Sequence, residues 1–144
     1  VLAIAAAVRA RRVSARDVTA AALARIAGRD RALNCFTHVR GEAALAEAAR
    51  VDARLAAGED PGPLAGVPFG VKNLFDVEGL TTLAGSKIFA ERPPAARDAA
   101  AVVMLRRAGA VLLGTLNMDE FAFGFTTENA HHGPTRNPHD PSRV

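Results

Sequence analysis

The chain has no tryptophan, no tyrosine and one cysteine, Cys35. A single cysteine excludes an internal disulfide framework. Lying between Asn34 and Phe36, it reads as an ordinary packed thiol, since free cysteine behaves as a small hydrophobe. No apolar run reaches the roughly 18 residues that a helical membrane span needs. Val1 to Val8 also lacks the charged leader and cleavage pattern of a secretory signal. A cytoplasmic protein without a membrane partner is therefore expected. Lysine is almost missing too: the lysines are Lys72 and Lys87, and the remaining basic residues are arginines dispersed among acids. The net charge of +3 rests on a solvated arginine surface. The one cluster, Arg9, Arg11 and Arg12, has no aromatic residues interleaved with it as a base-stacking surface would, so nucleic acid is not an expected partner.

What is present is ample core material: 49% hydrophobic and 23% charged residues describe a globular chain of about one domain. Leu2 to about Arg11 reads as a helix. Ser14 with Asp17 three residues on resembles a capping box and opens a second helix, with Val18, Ala22 and Ile26 on one face and Gly28 as its stop. Cys35–Val39 is short, β-branched and aromatic, and reads as a strand. From Glu42 to Ala57, residues Ala44, Ala48, Val51 and Leu55 recur at helical spacing, with Glu47 and Arg50 assigned to the water side. Gly58 to Pro63 is a turn-rich linker. After it the pattern turns α/β. Val67 to Lys72 is a buried strand, and Pro68 places it at a sheet edge or a bulge. Asp98 caps a helix with an Ala101, Met104, Leu105, Ala108 stripe, closed by Gly109. Ala110–Gly114 is a second buried strand, parallel to the first through that helix. Met118 to Phe123 reads as a short helix capped by Asn117, and Phe125 to Val144 as loop.

The chemistry concentrates at Lys72, which ends the run Leu64-Ala-Gly-Val-Pro-Phe-Gly-Val71. Lysine is among the residues least often buried without a partner. Either its ammonium is solvated at the strand end, or dry surroundings pull its pKa down and make it a proton acceptor. Pattern alone leaves both open. Gly79–Ser86 is small, hydroxyl-rich and placed where α/β sheets put ligand loops. Phe121–Asn129 alternates aromatic rings with Gly124 and then offers hydroxyls and an amide, as a pocket wall or as plain core. His131, His132 and His139 do not have spacing that converges on one metal ion, and no glycine run ends in Lys-Ser or Lys-Thr. Neither metal nor cofactor is expected. A Cys35–His38 nucleophile pair lacks an activating neighbour.

Four motifs then occur in order: Pro63-Leu-Ala-Gly-Val-Pro-Phe-Gly-Val-Lys72-Asn, Arg107-Ala-Gly-Ala-Val-Leu-Leu-Gly-Thr-Leu-Asn-Met-Asp-Glu-Phe121, Thr127-Glu-Asn, and Gly133-Pro-Thr-Arg-Asn-Pro138. Together they resemble the amidase signature family. The resemblance implies an α/β fold in which an N-terminal helical arm (1–57) packs on the start of a mixed, incomplete sheet flanked by helices (64–144), all within one amidase domain. It implies a hydrolase that cleaves amide or urea-like C–N bonds with a Ser-cisSer-Lys triad. By position Lys72 matches the catalytic lysine, while Ala122, Phe123, Gly124 and Phe125 match the stretch bordering the acyl pocket. A homodimer or a small accessory subunit is the implied partner. The Gly- and Ser-rich segment that carries both serines is absent: Ser14, Ser86 and Ser142 match neither position. The chain starts inside a helical pattern and stops in a loop, so it reads as a piece of a longer protein, inactive alone. The alternatives are the amidase-type subunit of a tRNA-dependent glutamyl amidotransferase and, from another class, a non-catalytic binding module in which Lys72 is only a strand-end charge.

Overall fold

A computed structural model describes all residues from Val1 to Val144. The architecture is mixed α/β, with helices α1 (Leu2–Arg9), α2 (Ala15–Leu33), α3 (Gly41–Ala56) and α4 (Ala100–Arg107) and strands β1 (Phe36–Val39), β2 (Pro68–Lys72), β3 (Val111–Leu116), β4 (Glu128–Asn129) and β5 (Gly133–Pro134). A three-stranded sheet has the order β1-β3-β2, and β4 and β5 pair separately. β1 runs antiparallel to β3, with Phe36 opposite Leu116 and Val39 opposite Gly114. β2 is parallel to β3: Val111 N–H donates to Val67 C=O and Asn73 N–H to Leu116 C=O, both advancing in the same direction. The sheet is therefore mixed, as the sequence predicts. Pro68, which cannot donate to a ladder, lies on an edge strand.

The chain folds as two compact units, each assembled from three stretches. The first comprises 1–26, 40–70 and 103–113, and the second 27–39, 71–102 and 114–144. The Gly58–Pro63 linker falls inside the first unit.

In the first unit alanine dominates the core: Ala5, Ala15, Ala44, Ala48 and Ala65 are buried beside Val8, Val51, Val111 and Leu112. Small side chains let the backbones approach closely. At Gly66, with φ +68°, a β-carbon would lie 2.8 Å from Ala15 Cβ, so both the conformation and the space require glycine. Ser14 Oγ accepts from Asp17 N–H at 2.9 Å, as the capping pattern predicts. The Asp52 carboxylate takes the next open donors of α2, Ala15 N–H at 2.7 Å and Arg16 N–H at 3.0 Å.

Glu47 departs from expectation. It is 9% exposed, with Oε1 at 2.8 Å from Arg40 Nη1 and 2.5 Å from Arg106 Nη2, and Oε2 accepting from Leu112 N–H at 3.3 Å. Helical spacing explains it. Glu47 follows Ala44 by three residues and precedes Val51 by four, so it belongs to the apolar stripe, and two guanidiniums neutralise what that position buries.

Other boundaries also shift. α2 runs through Gly28 to Leu33 and stops at Asn34, which takes the left-handed φ of 55°. Glycine in an exposed helix costs only about 1 kcal/mol, so Gly28 does not terminate it. On α4, Val102 is the buried residue; of the predicted stripe, Ala101 and Met104 are exposed, the latter by 71%, while Leu105 and Ala108 are half-buried.

Candidate active site

The second unit holds the candidate site residues, Lys72 and the stretch from Ala122 to Phe125. Lys72 closes β2 with an exposed side chain, between buried Val71 and buried Asn73. Strand alternation dictates this: with 71 and 73 turned inward, 72 points to the opposite face. Of the two settings the sequence leaves open for Lys72, these residues provide the solvated strand end, because the apolar run covers only the inward face.

Asn73 fixes the strand end. It is 3% exposed and its Nδ2 donates to Thr37 Oγ1 at 2.9 Å and to Thr115 Oγ1 at 3.4 Å. Its Oδ1 accepts from Leu83 N–H at 2.8 Å and its C=O from Ala84 N–H at 2.7 Å. Ala84 C=O in turn accepts from Phe121 N–H at 2.8 Å. A backbone relay thus leads from the residue after Lys72 to the first residue of the aromatic loop.

Two further buried asparagines complete this scaffold. Asn117 donates to Gly133 C=O at 2.9 Å and to Asn34 C=O at 3.3 Å, and its Oδ1 holds Met118 N–H at 2.9 Å. Asn129, 4% exposed, donates to Gly85 C=O at 2.6 Å and Met118 C=O at 2.8 Å, and accepts from the N–H groups of His131 and His132 at 2.7 and 2.9 Å. The residue type was visible in the sequence; its burial was signalled only at Asn73, where alternation with Val71 turns it inward.

The predicted helix over 118–123 is a single 3-10 turn, Glu120–Ala122, with Asp119 at its cap. Phe121, Ala122 and Thr127 adopt φ of 53°, 61° and 54°, a region that costs about 1–2 kcal/mol per non-glycine residue. The backbone is held there by side chains. Asp119 accepts Thr127 N–H at 3.1 Å and Glu128 N–H at 3.2 Å, clasping the two ends of the loop. Gly124 lies against that carboxylate, where a β-carbon would come within 2.5 Å of Asp119 Cγ. Phe121 packs edge-on against Phe89 with centroids 5.3 Å apart, and the Arg92 guanidinium lies 3.3 Å from the Phe89 centroid.

Ala122, Phe123, Gly124 and Phe125 are all exposed. Phe123 and Phe125 show 95% and 105% of their reference surface, which excludes core packing for either ring in this structure.

Ser86 is not a cleft-lining hydroxyl. It is fully buried; its Oγ donates to Glu120 Oε1 at 2.5 Å and accepts from Ile88 N–H at 3.2 Å. The same Oε1 meets His131 Nε2 at 3.0 Å. The Ser86 hydrogen bond, followed by that of His131 and its charge, holds the Glu120 carboxyl below its ordinary range. His132 is pushed down by burial first, then by the nearby His131 and Lys87. Cys35 is half-buried and its thiol is pushed up, by burial and then by the charge and hydrogen bonding of Asp30. It carries no activation of the kind a nucleophile needs. No group of three or more His, Cys, Asp or Glu side chains is arranged to hold a metal, and no helix is long and apolar enough to cross a membrane.

Comparison with known proteins places these features in a family. Residues 17–144 match the amidase family model. Over 133 residues, 92% of the chain, the sequence is 62% identical to AtzE, the 1-carboxybiuret hydrolase subunit of Pseudomonas sp. (strain ADP). It is 52% identical over 141 residues, 98% of the chain, to a glutamyl-tRNA(Gln) amidotransferase subunit of Acidothermus cellulolyticus. The chain spans only 29% and 28% of those relatives. Among solved structures, a protein complex described as revealing the evolutionary origins of an s-triazine catabolic enzyme superposes with a TM-score of 0.96 at 59% identity, covering 98% of this chain and 31% of its counterpart. A bacterial aryl acylamidase of the amidase signature family gives 0.88 at 32% identity, covering 95% of this chain and 29% of that one. With both the family model and the fold matched across nearly its whole length, the chain belongs to the amidase signature family.

Proposed function

We propose that these residues form the N-terminal part of a single amidase domain that hydrolyses amide or urea-like C–N bonds by a Ser-cisSer-Lys mechanism. Lys72 is the proton acceptor in this reading, and Ala122, Phe123, Gly124 and Phe125 border the acyl pocket. The observation that supports it is the anchoring, through Asn73, of the strand end that carries Lys72. A mobile lysine needs no such support, yet Asn73 beside it makes hydrogen bonds to a strand pair on one side and to residues 83 and 84 on the other. Catalysis by proton transfer requires this kind of fixed geometry. The mechanism also requires a neutral amine. Lys72 is exposed within this chain, so the low-dielectric cover that favours the neutral form belongs, in this proposal, to parts of the domain beyond these residues, as do both serines.

The identity to the 1-carboxybiuret hydrolase relative favours a small urea-like substrate. A homodimer or a small accessory subunit is the partner we infer, in keeping with the complex among the structural neighbours, and the cytoplasm is the compartment. No cofactor enters the reaction. The second reading is the amidase-type subunit of a glutamyl-tRNA(Gln) amidotransferase, favoured by similarity over 98% of the chain.

The test is Lys72→Ala in the enzyme that carries this segment. Loss of general-base catalysis should lower kcat for biuret hydrolysis by about 10²–10⁴-fold. Unchanged hydrolysis would refute the mechanism. Activity that appears only with a partner protein, glutamine and charged tRNA would select the second reading.

A further inference from the structure

We propose that Glu120 and His131 are positioning residues that set the aromatic loop at 121–125 and thereby determine the size of the acyl group admitted. The inference rests on the reading above, in which 122–125 borders the pocket.

Three observations meet here. The loop backbone is strained at Phe121, Ala122 and Thr127, and such conformations persist only where the surroundings over-determine them. The strain is not spent on burying the rings, since Phe123 and Phe125 are fully displayed. And one carboxylate oxygen ties the loop to two separate segments. Glu120 Oε1 receives Ser86 O–H at 2.5 Å, from the residue that also caps the 3-10 turn bearing Phe89. It meets His131 Nε2 at 3.0 Å, from the turn that Asn129 organises.

Glu120 is the first residue of the loop's turn and Phe121 the second, so the contacts of this carboxylate hold the loop where it enters the strained stretch. Ser86 is sealed inside and supplies a fixed anchor. His131 is partly exposed, with 30% of its side chain accessible, so it can be altered without opening the core. The charged and titratable groups around it are Glu120 and His132, with Lys87 acting on His132. Ser86 is fully buried with its Oγ given to Glu120, so it is out of reach of a substrate.

The experiment compares biuret and benzamide as small and bulky substrates in the full-length enzyme, for the parent, His131→Ala, His131→Gln and Glu120→Gln. A loosened wall should raise KM for biuret about tenfold, the scale of losing one charge-assisted hydrogen bond. The kcat should stay within about twofold, and the ratio of kcat/KM between the two substrates should shift toward benzamide by a similar factor. His131→Gln, which retains a donor of similar reach, should restore most of the parent selectivity. Should His131→Ala not fold, Glu120→Gln carries the same test, since it keeps an acceptor for Ser86 and loses only the charge facing His131. Unchanged KM and selectivity in folded variants would overturn the positioning role. A uniform loss of kcat for both substrates would do the same. Lys72→Ala serves as the control: if it abolishes turnover while the His131 and Glu120 variants match the parent, the positioning role fails and the hydrolase reading stands. If turnover survives Lys72→Ala, it is the hydrolase reading that fails.

Discussion

Replacing Asn129 probes the scaffold most sharply, because its amide orientation is dictated by its partners. Nδ2 faces two carbonyls, of Gly85 and Met118, and Oδ1 faces two N–H groups, of His131 and His132. At a net value of about 1 kcal/mol per hydrogen bond, Asn129→Ala removes four and leaves buried partners unsatisfied, for a loss of about 3–5 kcal/mol. Asn129→Asp is nearly isosteric and discriminates further. It keeps the acceptor for both histidine N–H groups but sets a second oxygen 2.6 and 2.8 Å from two carbonyl oxygens. At neutral pH it should be at least as destabilising as the alanine variant. Protonation of the new carboxyl supplies one donor, so its folded-state pKa is raised above the unfolded value of about 3.9. Its deficit should shrink as pH falls through that raised value and be smallest below about pH 4. Urea unfolding midpoints at pH 7 and pH 4.5, measured for parent and both variants, check this. If Asn129→Asp matched the parent at pH 7, the donor and acceptor assignment, and the pinning of Gly85 and Met118 inferred from it, would be wrong.

Two other perturbations follow from the same geometry. Glu47→Gln in α3 discharges one partner of a buried cluster and leaves Arg40 and Arg106 facing a neutral amide; unfolding should become easier by about 3 kcal/mol, seen as a lowered urea midpoint, and a midpoint equal to the parent's would mean the cluster is solvated. The Glu120 carboxyl has its pKa depressed from 4.5, mainly by Ser86, so its stabilising contribution is present above the unfolded value and fades as pH drops through the lower, folded one. Acid titration followed by circular dichroism should show this component below pH 4.5 in the parent and not in Glu120→Gln; identical acid profiles would count against the Ser86–Glu120 bond.

How much of this was legible in the sequence follows from the range of the forces involved. Apolar periodicity, glycine placement and the Ser14–Asp17 cap are local, and they located α1, α3, β1, β2 and β3 to within a residue or two, together with the edge position of Pro68. The stop of α2 is not legible locally, because an exposed glycine is a weak terminator and the end depends on Asn34, whose amide donates to the carbonyls of His132 and Pro134 about a hundred residues away. The burial of Glu47 is hidden from the sequence for the same reason: a charge is tolerated on an apolar stripe only when cations arrive from elsewhere, and Arg106 lies 59 residues on.

The candidate site divides in the same way. The family to which the motifs belong is readable from residue order, since motif spacing is a property of the chain, and the same order nominates Lys72 and the Phe121–Phe125 stretch as candidates. That Lys72 stands exposed while Asn73 is buried, that Ser86 is an anchor, and that Glu120 gathers Ser86 and His131 onto one oxygen were decided only by tertiary structure. Those contacts join positions 34 and 11 residues apart, and hydrogen bonding between such partners depends on where folding brings them, which no local pattern encodes.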